Sequence, residues 1–264
     1  MSPVLLRLGS HTLYWYTALL AIGILSGASY VFWRSLGHGF RREHLTDASL
    51  WSLGIAVVGA RLAYVIPNWE DYSGRSGALL GTWGGGLVFQ GGLVAGTLAL
   101  WFYANYRRLS FLRLADLAAP GVALAQALGW AGAHVHGAHY GRILRSPFSL
   151  WLPDLYGVYG PRVPTQLLAS ALGLTIFWGL HRLRKWRLSP GTLALLYFLV
   201  NGAGHFLLGF GRADSAACVG RLRVTQVADL LEALVAAALL VHCWLNGRRR
   251  TASRGHGTVE ARGT

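Results

Sequence analysis

Three histidines, a tyrosine and an arginine crowd one short stretch, His134-Val135-His136-Gly137-Ala138-His139-Tyr140-Gly141-Arg142. Neighbouring imidazoles first suggest a metal, but there is no i, i+4 pair and no carboxylate beside them, so no metal is expected. Acid–base and anion chemistry fit better. An imidazole such as His136 or His139 can take a proton near neutral pH, and the Arg142 guanidinium can grip an anion. The alternative is that these groups only snorkel to a membrane interface. Arg61 interrupts the apolar run Gly59-Ala60-Arg61-Leu62-Ala63-Tyr64-Val65. A guanidinium there must pair internally or bind an anion such as a lipid phosphate. Gln90 is the polar group of a glycine-dense segment, with glycine at 84, 85, 86, 91, 92 and 96. That segment reads either as close helix packing or as a broken helix end lining a cavity, with amides open to phosphate.

The elements that must carry these residues are apolar. With 53% hydrophobic and 13% charged residues among 264, the chain cannot present an ordinary soluble surface. Seven runs approach the length of a bilayer-crossing helix: 13–33, 48–67, 84–106, 114–134, 165–181, 191–210 and 224–244. The expected fold is all-α, a polytopic membrane protein with about seven transmembrane helices. Residues 1–246 form the membrane domain, and the polar, arginine-rich segment 247–264 reads as a disordered basic tail. The first run is read as a retained span rather than a cleaved leader, since more spans follow it. Most of the arginines near span ends follow the odd-numbered spans, which places the N-terminus outside and the C-terminus in the cytoplasm. The net charge of +14 is spread over short clusters flanking spans, so nucleic acid is not expected as a partner. Cys218 and Cys243 then face different compartments, and no disulfide between them is expected.

Set in chain order, these pieces resemble the prolipoprotein diacylglyceryl transferases, multi-pass enzymes of the bacterial inner membrane. Trp15-Tyr16 resembles the family's opening of span one. Gly59 to Val65 is similar to its Gly-x-Arg-Leu-x-Tyr-Val, and Gly86-Leu-Val-Phe-Gln-Gly-Gly-Leu93 to its Gly-Gly-Leu-x-x-His-Gly-Gly-Leu. Asp116 and Pro120 resemble its Asp-x-x-x-Pro, Tyr140-Gly141-Arg142 the end of its signature, and Pro164-Thr-Gln166-Leu its Pro-Thr/Ser-Gln-Leu. Phe210-Gly-Arg212-Ala-Asp214 and Val224-Thr-Gln226 resemble two later patches.

The resemblance implies transfer of a diacylglyceryl group from phosphatidylglycerol to the lipobox cysteine of a preprolipoprotein, with release of glycerol phosphate. It implies phosphatidylglycerol, the signal-peptide region of the preprolipoprotein and membrane lipids as partners, and no cofactor. Carried over by position, His136, His139, His205, Gln90 and Tyr16 are the candidate catalytic residues. Arg61, Gly91, Gly92, Tyr140, Gly141, Arg142, Gln166 and Arg212 are the candidate phospholipid ligands. The chain departs from the family pattern at several polar positions. Gln90 stands for a frequent His, Trp130 and Ala133 for an Arg and an Asn, Ala138 for a Glu, and His205 and Gly209 for an Arg and a Glu. A member that binds phospholipid but is altered or inactive in chemistry, or uses another acceptor, is therefore the alternative. A small-solute transporter is a remoter one, since no inverted repeat is visible.

Overall fold

Helix α1 (Trp15–Ser35) begins directly after an antiparallel hairpin of β1 (Val4–Leu8) and β2 (His11–Tyr14). The computed structural model describes all residues other than 1–3, 9–10, 36–39, 73–85, 155, 187, 215–217 and 261–264. Gly84 and Gly85 of the glycine-dense segment lie outside the described residues. The chain continues through α2 (Arg42–Val65), a 3-10 turn (Ile66–Asn68) and the short α3 (Trp69–Tyr72) to α4 (Phe89–Tyr106) and α5 (Phe111–His136). A second hairpin, β3 (Leu150–Pro153) with β4 (Tyr159–Arg162), leads to α6 (Thr165–Leu183) and α7 (Thr192–Gly209). The two-residue strands β5 (Cys218–Val219) and β6 (Leu222–Arg223) precede α8 (Val224–Glu260), which runs on through most of the segment expected to be a tail.

Five helical segments are long and apolar enough to cross a membrane: Trp15–Ser35, Arg42–Asn68, Phe111–His136, Thr192–Gly209 and Val224–Asn246. The runs expected at 84–106 and 165–181 are the helices α4 and α6, of 18 and 19 residues, which fall outside that set. Both mix polar side chains, Gln90, Thr97 and Asn105 in one and Gln166, Ser170 and His181 in the other, with their apolar ones. Large side chains such as Leu25, Val94, Phe102 and Leu207 stand more than 60% exposed on the bundle's outer surface, as a hydrocarbon solvent requires.

Helix α1 packs along α5, α2 along α4, α6 along α5, and α8 along α7. Small residues set two of these seams. A Cβ on Gly23 or Gly27 would run into the carbonyls of Ala125 or Gly121, and one on Gly91 into Ala63 and the Gly59 carbonyl. Backbones meet there because no side chain intervenes. Gly91, Gly92 and Gly96 thus belong to the α2–α4 seam, whereas Gly86 lies before the helix at φ +82°, a conformation open to glycine. That turn explains why α4 starts at Phe89, later than its hydropathy suggests. Alanines 119 and 123, Ile176, Leu180, Leu193 and Tyr197 form the core between α5, α6 and α7.

Asp116, on α5, closes the first turn of α7: its carboxylate oxygens accept from the Gly191 amide at 2.6 Å and the Ala194 amide at 2.9 Å. This is a helix N-cap supplied from a neighbouring helix. Asp116→Ala is expected to lower stability by about 1–2 kcal/mol, read as a lower thermal midpoint in lipid.

Candidate functional site

At the end of the bundle where α5 and α7 finish and α6 and α8 begin, two loops lock together. The αL residue Gly137 ends α5, and the chain turns again at His139, which holds φ +55°. Such a conformation is uncommon for a residue with a Cβ and must be held by its surroundings. Thr165 Oγ1 donates to the His139 carbonyl at 3.0 Å, and Gln166 Nε2 to the Ala138 carbonyl at 2.9 Å. The Arg142 and Ala213 amides donate to the Gly211 and Tyr140 carbonyls, and Gly141 pairs with Arg212 as a β-bridge. Gly141 is buried, and a Cβ there would collide with the Val163 carbonyl, so only glycine lets the three strands of chain meet.

This bracing presents a cluster of charges. Arg212 donates from Nε to Asp214 Oδ1 at 3.0 Å, and from Nη2 to Asp214 Oδ2 at 2.6 Å and His139 Nδ1 at 2.7 Å. Arg223 adds a bond from Nη1 to Asp214 Oδ1 at 3.2 Å and one from Nη2 to the Arg212 carbonyl at 2.8 Å. The side chains of Arg212, Asp214 and Arg223 are only 14%, 16% and 15% exposed, so the pairing is little screened by water. Burial alone would raise the Asp214 carboxyl, but its contacts with His139 and Arg212 hold it well below the usual carboxylate range. Its contribution to stability is thus present at neutral pH and is lost only as the pH falls through that lowered value. His139 Nδ1 also lies 3.2 Å from Asp214 Oδ2, so one ring nitrogen meets both members of the ion pair and Nε2 is left for a ligand. Among the described residues Arg212 Nη1 has no protein partner, which leaves two donors for an anion.

The other predicted residues sort around this cluster. Arg162 is buried, bonded to Asp154 Oδ2 at 2.9 Å, with its guanidinium over the Tyr140 ring at 5.0 Å. Arg142 extends its exposed side chain from the same loop. His136 is wedged between Tyr14 and Tyr16, at ring separations of 5.3 and 6.0 Å, and its Nδ1 is buried without a hydrogen-bond partner. His205 lies flat on Trp130 at 5.3 Å, and Trp130 also meets His139 at 5.3 Å. Arg61 is set apart, donating to the Gly86 carbonyl at 3.0 Å and facing the rings of Tyr64 and Tyr72. The site therefore gathers His139, His205, Tyr140, Gly141, Gln166 and Arg212, flanked by His136 with Tyr16. Gly91 and Gly92 serve helix packing.

Below the cluster runs a buried polar interior. Tyr197 donates to Gln126 Oε1 at 3.1 Å, and Gln126 Nε2 meets His205 Nε2 at 3.0 Å. Gln90 Nε2 donates to Asp229 Oδ1 at 2.8 Å, and Asn201 Nδ2 to Glu232 Oε1 at 3.0 Å. Asp229 and Glu232 escape a search of the sequence centred on Arg61. The signal that finds them is the same one, ionisable residues inside an apolar run, here 224–244.

Comparison with known proteins adds the last observation. A family model described as prolipoprotein diacylglyceryl transferase matches residues 3–242. The phosphatidylglycerol–prolipoprotein diacylglyceryl transferase of Bacillus licheniformis is 32% identical over 257 residues, covering 94% of both chains. The same-named protein of Geobacillus kaustophilus is 34% identical, covering 91% of this chain and 92% of its own. That of Nostoc is 32% identical, covering 94% and 90%.

Proposed function

The chain belongs to the prolipoprotein diacylglyceryl transferase family, and from that premise we propose that it moves a diacylglyceryl group from phosphatidylglycerol to the lipobox cysteine of prolipoproteins. The observation that carries the reading is Arg212, fixed by Asp214 and His139 with two donors left over, at the bundle end where lipid headgroups lie. The thiolate of the acceptor attacks the glyceryl carbon that bears the phosphate ester. The carbon–oxygen bond breaks, its electrons leave with glycerol phosphate, and a thioether remains. Arg212 and Arg142 hold the phosphate, and the charge that builds on the departing oxygen falls on preorganised donors. His139, held at Nδ1 by the Arg212–Asp214 ion pair, keeps Nε2 for the same phosphate. His136, Tyr16, Tyr140, Gly141 and Gln166 shape the pocket around the headgroup, and Arg61 meets a lipid from the α2–α4 side.

The setting is the bacterial inner membrane. Helices α4 and α6 cross it with the other five: 18 residues span about 27 Å, near the hydrocarbon thickness. The Arg212 end faces outward, where prolipoproteins present their signal peptides, and the arginine-rich ends of α1 and α6 face the cytoplasm. Residues 1–246 are the membrane domain, and 247–264 a basic extension.

One observation favours a second reading, a lipid-binding member whose chemistry is altered. Trp130 and His205 stand at two positions where the family pattern has arginine, and here they stack on each other. The assay that decides mixes the protein, in membranes containing phosphatidylglycerol, with a lipobox peptide. A peptide heavier by one diacylglyceryl group is expected by mass spectrometry. No adduct, with a related transferase active alongside, would leave the second reading.

A further inference from the structure

Transfer to a thiol releases one proton, so the site needs a group to receive it. The histidines nearest Arg212 are poorly placed for that task. His139 Nδ1 is engaged by Arg212 at 2.7 Å and Asp214 Oδ2 at 3.2 Å, and His205 Nε2 faces the Gln126 amide, which is itself fixed by Tyr197. His139 thus stands beside Arg212, at the level where the phosphate is held rather than inward of it, and His205 has the ring nitrogen Nε2 already engaged.

Asp229 is different. It lies five residues into α8, about 7.5 Å along the axis from the first turn that follows Arg223. It is 4% exposed. Gln90 of α4 donates to Oδ1 alone, so the group is oriented while Oδ2 has no protein partner among the described residues. No arginine, lysine or histidine among the described residues pairs with it directly. Arg212 acts on it electrostatically from above and Glu232 from one turn below. Polar groups of α7 packed against α8 include His205, Tyr197 and Asn201, and α8 itself adds the buried Gln226 one turn earlier.

The depth suits the chemistry of a lipid substrate. With its phosphate on Arg212 and its acyl chains in the bilayer, the glyceryl carbon that reacts lies just inward of the phosphate. Displacement at that carbon proceeds in line, so the thiol must come from the side away from the departing oxygen. Asp229 is on that inward side.

Resting on the function proposed above, we propose that Asp229 is the catalytic base, taking the acceptor thiol proton on Oδ2 while Gln90 positions the carboxylate. The S–H bond gives its proton to the carboxylate, the thiolate forms the carbon–sulfur bond, and the carbon–oxygen electrons leave on the phosphate. The proton then passes from the carboxylic acid to glycerol phosphate or to water, which returns the carboxylate.

The test compares wild type, Asp229→Asn and Asp229→Glu in phosphatidylglycerol membranes with the lipobox peptide, following adduct formation from weakly acid to weakly alkaline pH. Retained phosphatidylglycerol, read by native mass spectrometry, reports assembly. Asp229→Asn is expected to keep its lipid and lose about 10²-fold in rate. The rate that remains should climb about tenfold per pH unit until the peptide thiol itself ionises near about pH 8.5, where wild type is already level. Asp229→Glu should keep the wild-type pH profile at a reduced rate, and it decides the matter if the asparagine variant does not assemble. An asparagine variant as fast as wild type, or slow with an unchanged pH profile, would overturn the assignment. So would a glutamate variant with the steep hydroxide dependence. If wild type forms no adduct while a related transferase does, the transfer reading itself falls, and the base with it.

Discussion

Replacing Arg212 with alanine is expected to slow diacylglyceryl transfer by about 10³-fold while lowering phosphatidylglycerol retention far less. The asymmetry follows from how the side chain is held. Two of its nitrogens are committed to Asp214 and His139, so the third is aimed before substrate arrives. In the ground state of the proposed reaction the phosphate diester carries one charge, which Arg142 and solvent would share. As the carbon–oxygen bond breaks, a second charge grows on the departing oxygen, and donors that need no reorientation gain most at that moment. The effect therefore belongs in kcat more than in KM. Removing the guanidinium also leaves Asp214 with Arg223 as its remaining arginine, so a modest fall in melting temperature accompanies the loss of activity. Arg212→Lys keeps the charge but not the fork and should recover only part of the rate. An alanine variant with wild-type turnover would remove Arg212 from the chemistry.

Much of this architecture is legible in the chain because helix length and hydropathy are local properties. Five of the seven predicted runs are helices that meet the requirements of a span, and the other two are helices that share one end with the predicted run and differ by a few residues at the other. What is not local is harder to see. The His139–Arg212–Asp214 cluster joins residues more than seventy positions apart, brought together by the loop bridge at Gly141 and Arg212. The stack of His205 on Trp130 is of the same kind. Each departure from the family pattern is visible by itself, but not that the two meet. Their contact gives the departures one physical account. Two guanidiniums so close would repel unless an acid stood between them, and a flat aromatic pair fills the space without charge. The position of the pattern's Glu is Gly209, where a Cβ would press on the Gln226 side chain, so the acid is replaced by packing. Glycine-dense sequence is ambiguous in the same way. Gly91 and Gly86 look alike in a row of letters, yet one lets two helices touch and the other turns the chain below Arg61.

Arg162→Ala is expected to be the most destabilising single change outside the helices, costing about 3–5 kcal/mol, because it breaks a buried ion pair from one side. The Arg162 and Asp154 side chains are 6% and 11% exposed, and the 2.9 Å bond between them crosses the hairpin of β3 and β4. Arg162 also donates to the Gly141 carbonyl at 3.3 Å and lies over the Tyr140 ring. Asp154 in turn accepts from the Tyr156 and Val158 amides and so shapes the hairpin tip. One guanidinium thus ties the tip of the hairpin to the loop that carries His139 and Arg142. Without it the Asp154 charge is left in a poorly solvated place and the hairpin loses its anchor. Hydrogen exchange should rise across 141–163 and leave α5 and α7 protected, and proteases should cut within the hairpin. Arg162→Ala together with Asp154→Ala should be less destabilised than Arg162→Ala alone, since no unpaired charge remains. Transfer activity in the single variant falls through disorder of His139 and Arg142, so the loss should shrink on cooling, whereas that of Arg212→Ala should not. Unchanged exchange across 141–163 would show that the hairpin is held by its backbone pairing instead.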